Sequence, residues 1–62
     1  MVEIGDILYV KHGVMSSGYD GLPVIIFEKD PMYFRARYQY PHDLVHDYWN
    51  LTEKDIGYYL ER

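Results

Sequence analysis

A chain of 62 residues can form one small domain, and this one has no cysteine to supply a disulfide bond or a thiolate-bound zinc ion. Ten acidic against six basic side chains give a formal net charge of −4, which argues against binding to duplex nucleic acid, because such binding needs a basic surface. Eight Tyr, two Phe and one Trp are too many rings for so small a core, so we expect some at the surface.

The first part of the chain has the pattern of two strands separated by a loop. Residues 7–14, ILYVKHGV, alternate so that Leu8 and Val10 share one face of a strand. Residues 16–21, SSGYDG, have loop chemistry, with two glycines that are able to adopt positive φ. Residues 24–29, VIIFEK, are β-branched and apolar, which is typical of a strand buried for much of its length.

A third strand is predicted to pair with the second as an antiparallel hairpin. Asp30-Pro31 marks a turn, because a residue before proline is pushed out of the helical region. Residues 33–40, YFRARYQY, then alternate cleanly. One face would carry Phe34, Ala36, Tyr38 and Tyr40, and the other Tyr33, Arg35, Arg37 and Gln39.

Residues 41–50, PHDLVHDYWN, contain the pair His-Asp twice, four residues apart. Two His at this spacing can bind zinc, but a metal site needs three or four ligands, and the chain has only one other His. An acid–base role needs a cleft that excludes water, for which so small a domain has no room. We therefore predict no metal, no cofactor and no catalytic residue, and interpret residues 42–46 as an exposed helical turn or a wide loop.

The C-terminal part is predicted to contain a strand, a helical turn and a last short strand. The composition returns to that of a strand at Asp47. Thr52 lies three residues before Asp55, the spacing of a capping box, which predicts a short 3-10 or α turn. Gly57 follows this turn, and residues 58–61, YYLE, have the composition of the closing strand.

In this order the elements resemble an SH3-like small barrel. The start, VEIGDILYVKHG, is similar to the first strand of such domains, and the end, YWNLTEKDIGYYLER, to their fourth strand, 3-10 turn and closing strand. The resemblance implies a single domain over residues 1–62 that is mostly β, a five-stranded SH3-like barrel with one short helical turn before the last strand. Residues 40–47 are longer than the tight turn usual there. Small proteins with this layout are frequent in phage and prophage genomes, so a phage origin is one expectation.

So small a domain can act only through its surface. We therefore predict a non-enzymatic protein-interaction module that, if phage-encoded, binds and inhibits a host protein. SH3-like domains often bind through the first long loop and the neighbouring hairpin. The resemblance therefore points to six partner-binding residues: Tyr19, Tyr33, Arg35, Arg37, Tyr48 and Trp49.

Three alternatives stay open at this point. The face of Tyr33, Arg35 and Arg37 suits single-stranded nucleic acid through stacking and guanidinium contacts, although two arginines are few for a phosphate backbone. A homodimer is a second alternative. The third is an acidic surface that mimics nucleic acid, formed by Asp43, Asp47, Glu53 and Asp55.

We expect a cytoplasmic protein that does not enter a membrane. The opening, MVEIGD, has neither the basic nor the apolar region of a signal peptide. The longest apolar run, LPVIIF, is far shorter than a membrane span.

Overall fold

The structure, a computed structural model, describes residues 1–39 and 48–62. Within these residues, five antiparallel strands form a curled half-barrel sheet, accompanied by one short helix. The strands lie in the order β4-β3-β2-β1-β5. Their bounds are β1 Ile7–Val10, β2 Pro23–Lys29, β3 Phe34–Tyr38, β4 Tyr48–Leu51 and β5 Leu60–Glu61, with helix α1 at Glu53–Tyr59 and a 3-10 turn at Ser17–Tyr19. The turn or loop predicted at 42–46 lies outside the described residues, as do Tyr40, Asp43 and Asp47.

The core lies on the inner, concave side of the sheet, and strand alternation fills it as predicted. Leu8 and Val10 of β1 are buried, whereas Ile7 and Tyr9 face outward. The predicted hairpin of β2 and β3 is confirmed as an antiparallel pair. The buried side chains are Leu8, Val10, Val24, Ile26, Phe34, Ala36, Tyr38, Leu51, Ile56 and Leu60.

Strand β2 differs from the prediction, because only one of its faces is buried. Val24 and Ile26 are fully enclosed, whereas Ile25 and Phe27 between and after them are only half-buried. The sheet curls around a core layer, and no element formed by residues 1–39 and 48–62 makes a second layer on its outer side. An apolar run of β-branched residues therefore belongs here to a strand whose outward side chains remain in contact with solvent.

Helix α1 begins as predicted and ends later. Thr52 is its N-cap: the Asp55 N–H donates to Thr52 Oγ1 at 3.2 Å, and the Thr52 N–H donates to Asp55 Oδ2 at 3.1 Å. The helix continues through Gly57 to Tyr59, which leaves two residues for β5 instead of the predicted four. Lys11 accounts for the extension, because its backbone N–H donates to Tyr59 O at 2.9 Å and its Nζ to Gly57 O at 2.6 Å. These bonds satisfy carbonyls that a helix end leaves without partners.

The first strand is shorter than the run of residues 7–14 that predicted it. It ends at Val10, and Gly13 then adopts a φ of 83°, a left-handed conformation that interrupts an extended chain. Gly21 closes the loop with a φ of 76°, and its N–H donates to Val10 O at 2.9 Å. The long first loop is therefore fastened to the end of β1.

The two ends of the described chain meet at the Asp6 carboxylate. Its Oδ2 accepts hydrogen bonds from the Glu3 N–H at 2.9 Å and from the Arg62 guanidinium at 3.2 Å. The backbone hydrogen bond from Glu3 is the larger cause, with Arg62 second, of a lowered Asp6 pKa; partial desolvation opposes both.

Candidate interaction surface

One row of side chains crosses four strands on the solvent-facing side of the sheet. Ile7 of β1 is paired with Ile25 of β2, Ile25 with Arg37 of β3, and Arg37 with Tyr48 of β4. Directly opposed residues in antiparallel strands have Cβ atoms about 4.5–5.5 Å apart, so the row is continuous. We use the term outer face for this row and its neighbours: Ile7, Ile25, Phe27, Arg35, Arg37, Tyr48 and Asn50.

Phe27 joins the outer face at an irregularity in the hairpin. The pairing of β2 with β3 shifts between Ile26 and Glu28, which leaves Phe27 without a partner in the register, as in a β-bulge. Its ring meets the Tyr48 ring edge-on with centroids 6.1 Å apart. The guanidinium carbon of Arg37 lies over the same ring, 5.1 Å from its centroid. The bulge therefore assembles an aromatic and cationic cluster from three strands.

The two arginines of the outer face have different electrostatic environments. Arg35 Nη1 lies 2.7 Å from Glu28 Oε1, and Arg35 Nε donates to Asn50 Oδ1 at 3.1 Å. The guanidinium carbon of Arg35 also lies 5.5 Å from the Tyr48 ring centroid. Arg37 forms no ion pair with any residue that the structure describes. Among the described side chains, a carboxylate neutralises the charge of Arg35, and none neutralises that of Arg37.

Much of the outer face is accessible to solvent. Tyr48 is 54% exposed and Ile7 39% exposed, and Arg37 is also exposed. Tyr, Phe and Arg are the residue types enriched at the centres of protein interfaces. The arrangement is suited to stacking, apolar contact and bidentate hydrogen bonding, all from one rigid sheet.

Comparisons with protein-family models, with curated proteins and with solved structures find no match to this chain. Within residues 1–39 and 48–62, no helix combines the length and apolar character needed to cross a bilayer. In the same residues, no three side chains of His, Asp or Glu converge as ligands for a metal ion. The interpretation of the outer face therefore rests on its own chemistry.

The structure brings three of the six predicted partner-binding residues together, namely Arg35, Arg37 and Tyr48. Tyr33 is near them in sequence but lies in the β2–β3 turn, ahead of the strand. The Tyr33 N–H donates to Asp30 Oδ1 at 3.0 Å, and the Asp30 N–H donates to Tyr33 O at 2.9 Å. Its side chain is 42% exposed at this turn.

Tyr19 and Trp49 belong to a different set of rings on the inner side of the sheet. Tyr38 links them, with its ring centroid 5.6 Å from that of Tyr19 and 5.1 Å from that of Trp49. Tyr59 of α1 continues the series, 6.4 Å from Trp49. Tyr19 and Trp49 are half-buried against the core, so they support the fold.

A groove of about 360 Å³ lies beside these rings. Trp49, Leu51 and Tyr59 supply much of its apolar wall, together with Met15. Asp55 is the carboxylate among the described residues that line it, and its Oδ2 accepts a hydrogen bond from the Thr52 N–H. This carboxylate therefore caps the helix.

Of the four residues in the acidic alternative, the structure describes two. Glu53 is exposed on the first turn of α1, whereas Asp55 is half-buried by its role in the capping box. Acidic side chains in the first turn of a helix interact favourably with the helix dipole. These two carboxylates have a structural role that accounts for their position.

Sequence reasoning missed Phe27 and Ile25 as surface residues, because the apolar run of β2 indicated burial. The alternation within that run contained the signal. With Val24 and Ile26 on the buried face, Ile25 must point outward, and Phe27 then lies at the surface beside the arginines of β3.

Proposed function

We propose that the protein is a non-enzymatic interaction module that docks a protein partner through its outer face. One observation carries this proposal: rings and guanidinium groups contact one another on a solvent-exposed sheet surface, with Arg37 over Phe27 and Arg35 over Tyr48. Aromatic and arginine side chains dominate interface hot spots. Stacking also holds these side chains in place, so a partner orders fewer rotamers when it binds.

The connectivity supports the further proposal that the domain is an SH3-like barrel. The strand order β4-β3-β2-β1-β5, with helix α1 between β4 and β5, agrees with the layout implied by the sequence resemblance. The same resemblance is the reason for proposing a phage-encoded protein that acts on a bacterial host protein. A bacterial lysate is accordingly the first place to seek a partner.

Binding of single-stranded nucleic acid is the second candidate, since stacked arginines and rings are also the groups that hold unpaired bases. The ion pair of Arg35 with Glu28 weighs against it. In the part of the chain that the structure describes, that pair leaves Arg37 as the cation of the outer face without an ion pair, on a protein of net charge −4. A polyanion needs several cations, so a protein partner is favoured.

Affinity capture from a bacterial lysate tests the proposal. Wild type is expected to retain a protein that Tyr48→Thr and Phe27→Thr retain much more weakly, because both remove rings from the outer face. Tyr58→Ala is the matched control: Tyr58 is 63% exposed but lies on α1, away from this face. The thermal unfolding of each variant is compared with that of wild type to verify folding.

The proposal fails if no protein is recovered above background, or if the outer-face variants and the Tyr58 control recover the same amount. Fluorescence anisotropy with a single-stranded oligothymidylate at low salt tests the second candidate. Tight binding that weakens steeply with added salt would favour nucleic acid over protein.

A further inference from the structure

We propose that the outer face selects a partner segment with a carboxylate side chain flanked by apolar residues, and that Arg37 is the anchor for this carboxylate. The inference rests on the proposed function and specifies its partner chemistry. It is carried by the contrast between the two arginines, which lie on the same strand and the same face.

Arg35 has its partners within the protein. Glu28 supplies a carboxylate at 2.7 Å and Asn50 supplies a carbonyl oxygen at 3.1 Å. Its pairing leaves little charge for a ligand, because the two opposite charges cancel at short range. Arg35 therefore acts as a support that holds the Tyr48 ring from one side.

Arg37 lacks such a partner among the described residues, and a ring holds it instead. The guanidinium carbon of Arg37 lies 5.1 Å from the centroid of the Phe27 ring, within the range of a cation–π contact. The N–H groups around the edge of the guanidinium stay available for a carboxylate, with which arginine forms two parallel hydrogen bonds. Within residues 1–39 and 48–62, the structure thus presents a cation that a ring orients and no carboxylate neutralises.

The surroundings of Arg37 define the rest of the ligand. Its neighbours in the row are Ile25 on one side and Tyr48 on the other, and Ile7 extends the apolar strip beyond Ile25. A partner segment that covers this strip removes water from the arginine, and a charge-assisted hydrogen bond is stronger where water is excluded. The complementary segment has one acidic side chain between aliphatic or aromatic ones.

The net charge sets a limit on how acidic the partner is. At −4, the protein repels a long polyanion at a distance. Screening confines that repulsion to about 10 Å at moderate salt, so a single carboxylate that reaches Arg37 is not excluded. The inference therefore favours an apolar protein segment with an isolated Asp or Glu over a polyacidic tract or a nucleic acid.

Selection from a library of random short peptides tests this chemistry. The immobilised proteins are wild type, Arg37→Gln, Arg37→Lys and the matched control Lys54→Gln, which makes the same charge change on exposed Lys54 of α1. Wild type and Lys54→Gln are expected to enrich peptides with an acidic residue beside apolar ones. Arg37→Gln is expected to lose the acidic preference, and Arg37→Lys to keep part of it, because lysine retains the charge without the bidentate geometry.

The strongest peptide is then synthesised with its acidic residue intact or replaced by the corresponding amide. Each of the two changes, Arg37→Gln and the amide peptide, is expected to weaken binding about tenfold or more. Together they should weaken it little more than either alone, because both remove the same contact.

The inference is overturned if wild type shows no acidic preference, or if Arg37→Gln shows the same preference as wild type. It is also overturned if an oligothymidylate displaces the selected peptide. Apolar peptides that bind wild type without an acidic residue and are lost in Phe27→Thr would leave the proposed function standing. If no peptide is enriched, or if enrichment is unchanged by Phe27→Thr and Tyr48→Thr, both the inference and the proposed function are contradicted.

Discussion

The guanidinium carbon of Arg37 lies 5.1 Å from the centroid of the Phe27 ring, across the hairpin of β2 and β3. This contact forms on the solvent side of the sheet, at the point where the pairing register shifts. It links an irregular part of β2 to the second half of β3, and it places a cation beside a ring on the outer face.

The Arg37–Phe27 contact is expected to stabilise the folded protein, which would appear as a coupling free energy between mutations at the two residues. Phe27→Leu removes the ring face but keeps an apolar side chain, and Arg37→Gln removes the cation. A double-mutant cycle of urea unfolding should give a coupling free energy of about 0.5–1 kcal/mol, the range for cation–π contacts near solvent. A cycle of Phe27→Leu with Lys54→Gln, which joins two distant sites, should give none. Equal coupling in the two cycles would contradict the assigned contact.

Adjacent isoleucines of β2 should differ sharply in their effect on stability. Ile26 is fully buried, so Ile26→Ala is expected to lower the free energy of unfolding by about 2–5 kcal/mol. A domain with a stability of about 5 kcal/mol would then retain about 0–3 kcal/mol, and at the lower limit about half of its molecules would be unfolded. Ile25→Ala is the matched control on the half-buried outer face and should cost clearly less. Urea denaturation followed by circular dichroism measures both, and equal losses would argue against the assigned faces.

The capping box of α1 should contribute to stability through one hydroxyl. Thr52→Ala removes the acceptor of the Asp55 N–H and is expected to cost about 0.5–2 kcal/mol in the free energy of unfolding. Thr52→Ser keeps the oxygen and should cost much less. Thermal unfolding compares the variants, and a Ser variant as unstable as the Ala variant would show that the hydroxyl is not the source of the effect.

The Asp6 carboxylate should make folding sensitive to acid. Its pKa is lowered from 3.8 in the folded protein, so the charged form is preferred in the native state over the unfolded one. Its stabilising contribution is fully present above the ordinary value of 3.8 and is lost as the pH falls through the lowered pKa.

Asp6→Asn should therefore reduce stability at neutral pH, and the difference from wild type should shrink under acidic conditions. Urea unfolding at a series of pH values measures this difference. Glu3→Gln is the matched control, since it removes one side-chain charge while the Glu3 backbone N–H can still donate to Asp6. If the difference in unfolding free energy between wild type and Asp6→Asn stays constant down to strongly acidic pH, the lowered pKa of Asp6 is contradicted.

Local sequence patterns predicted most of the elements. The alternation of Leu8 with Val10, and of Phe34 with Ala36, is a property of residues next to each other in the chain, and the structure buries those side chains. The spacing of Thr52 and Asp55 likewise predicted a helix start that the structure confirms. Alternation and capping can be recognised in the sequence because the interacting groups are close to each other along the chain.

The ends of the elements depended on groups far away in the chain. Helix α1 passes through Gly57 because Lys11, the residue after β1, donates to the carbonyls of Gly57 and Tyr59. No pattern within residues 52–61 contains that information. For the same reason, the length of the closing strand was predicted incorrectly.

Short-range patterns in the chain were enough to predict a mostly β fold whose strands alternate between core and solvent, because alternation and capping act over a few residues. Which outward side chains share a surface depends instead on how the strands pair in the folded protein. The register placed Tyr48 beside Arg37, the bulge brought Phe27 to both, and Glu28 neutralised Arg35 but not Arg37. Strand pairing joins residues far apart in the chain, and a one-residue change in register would exchange every neighbour on the face.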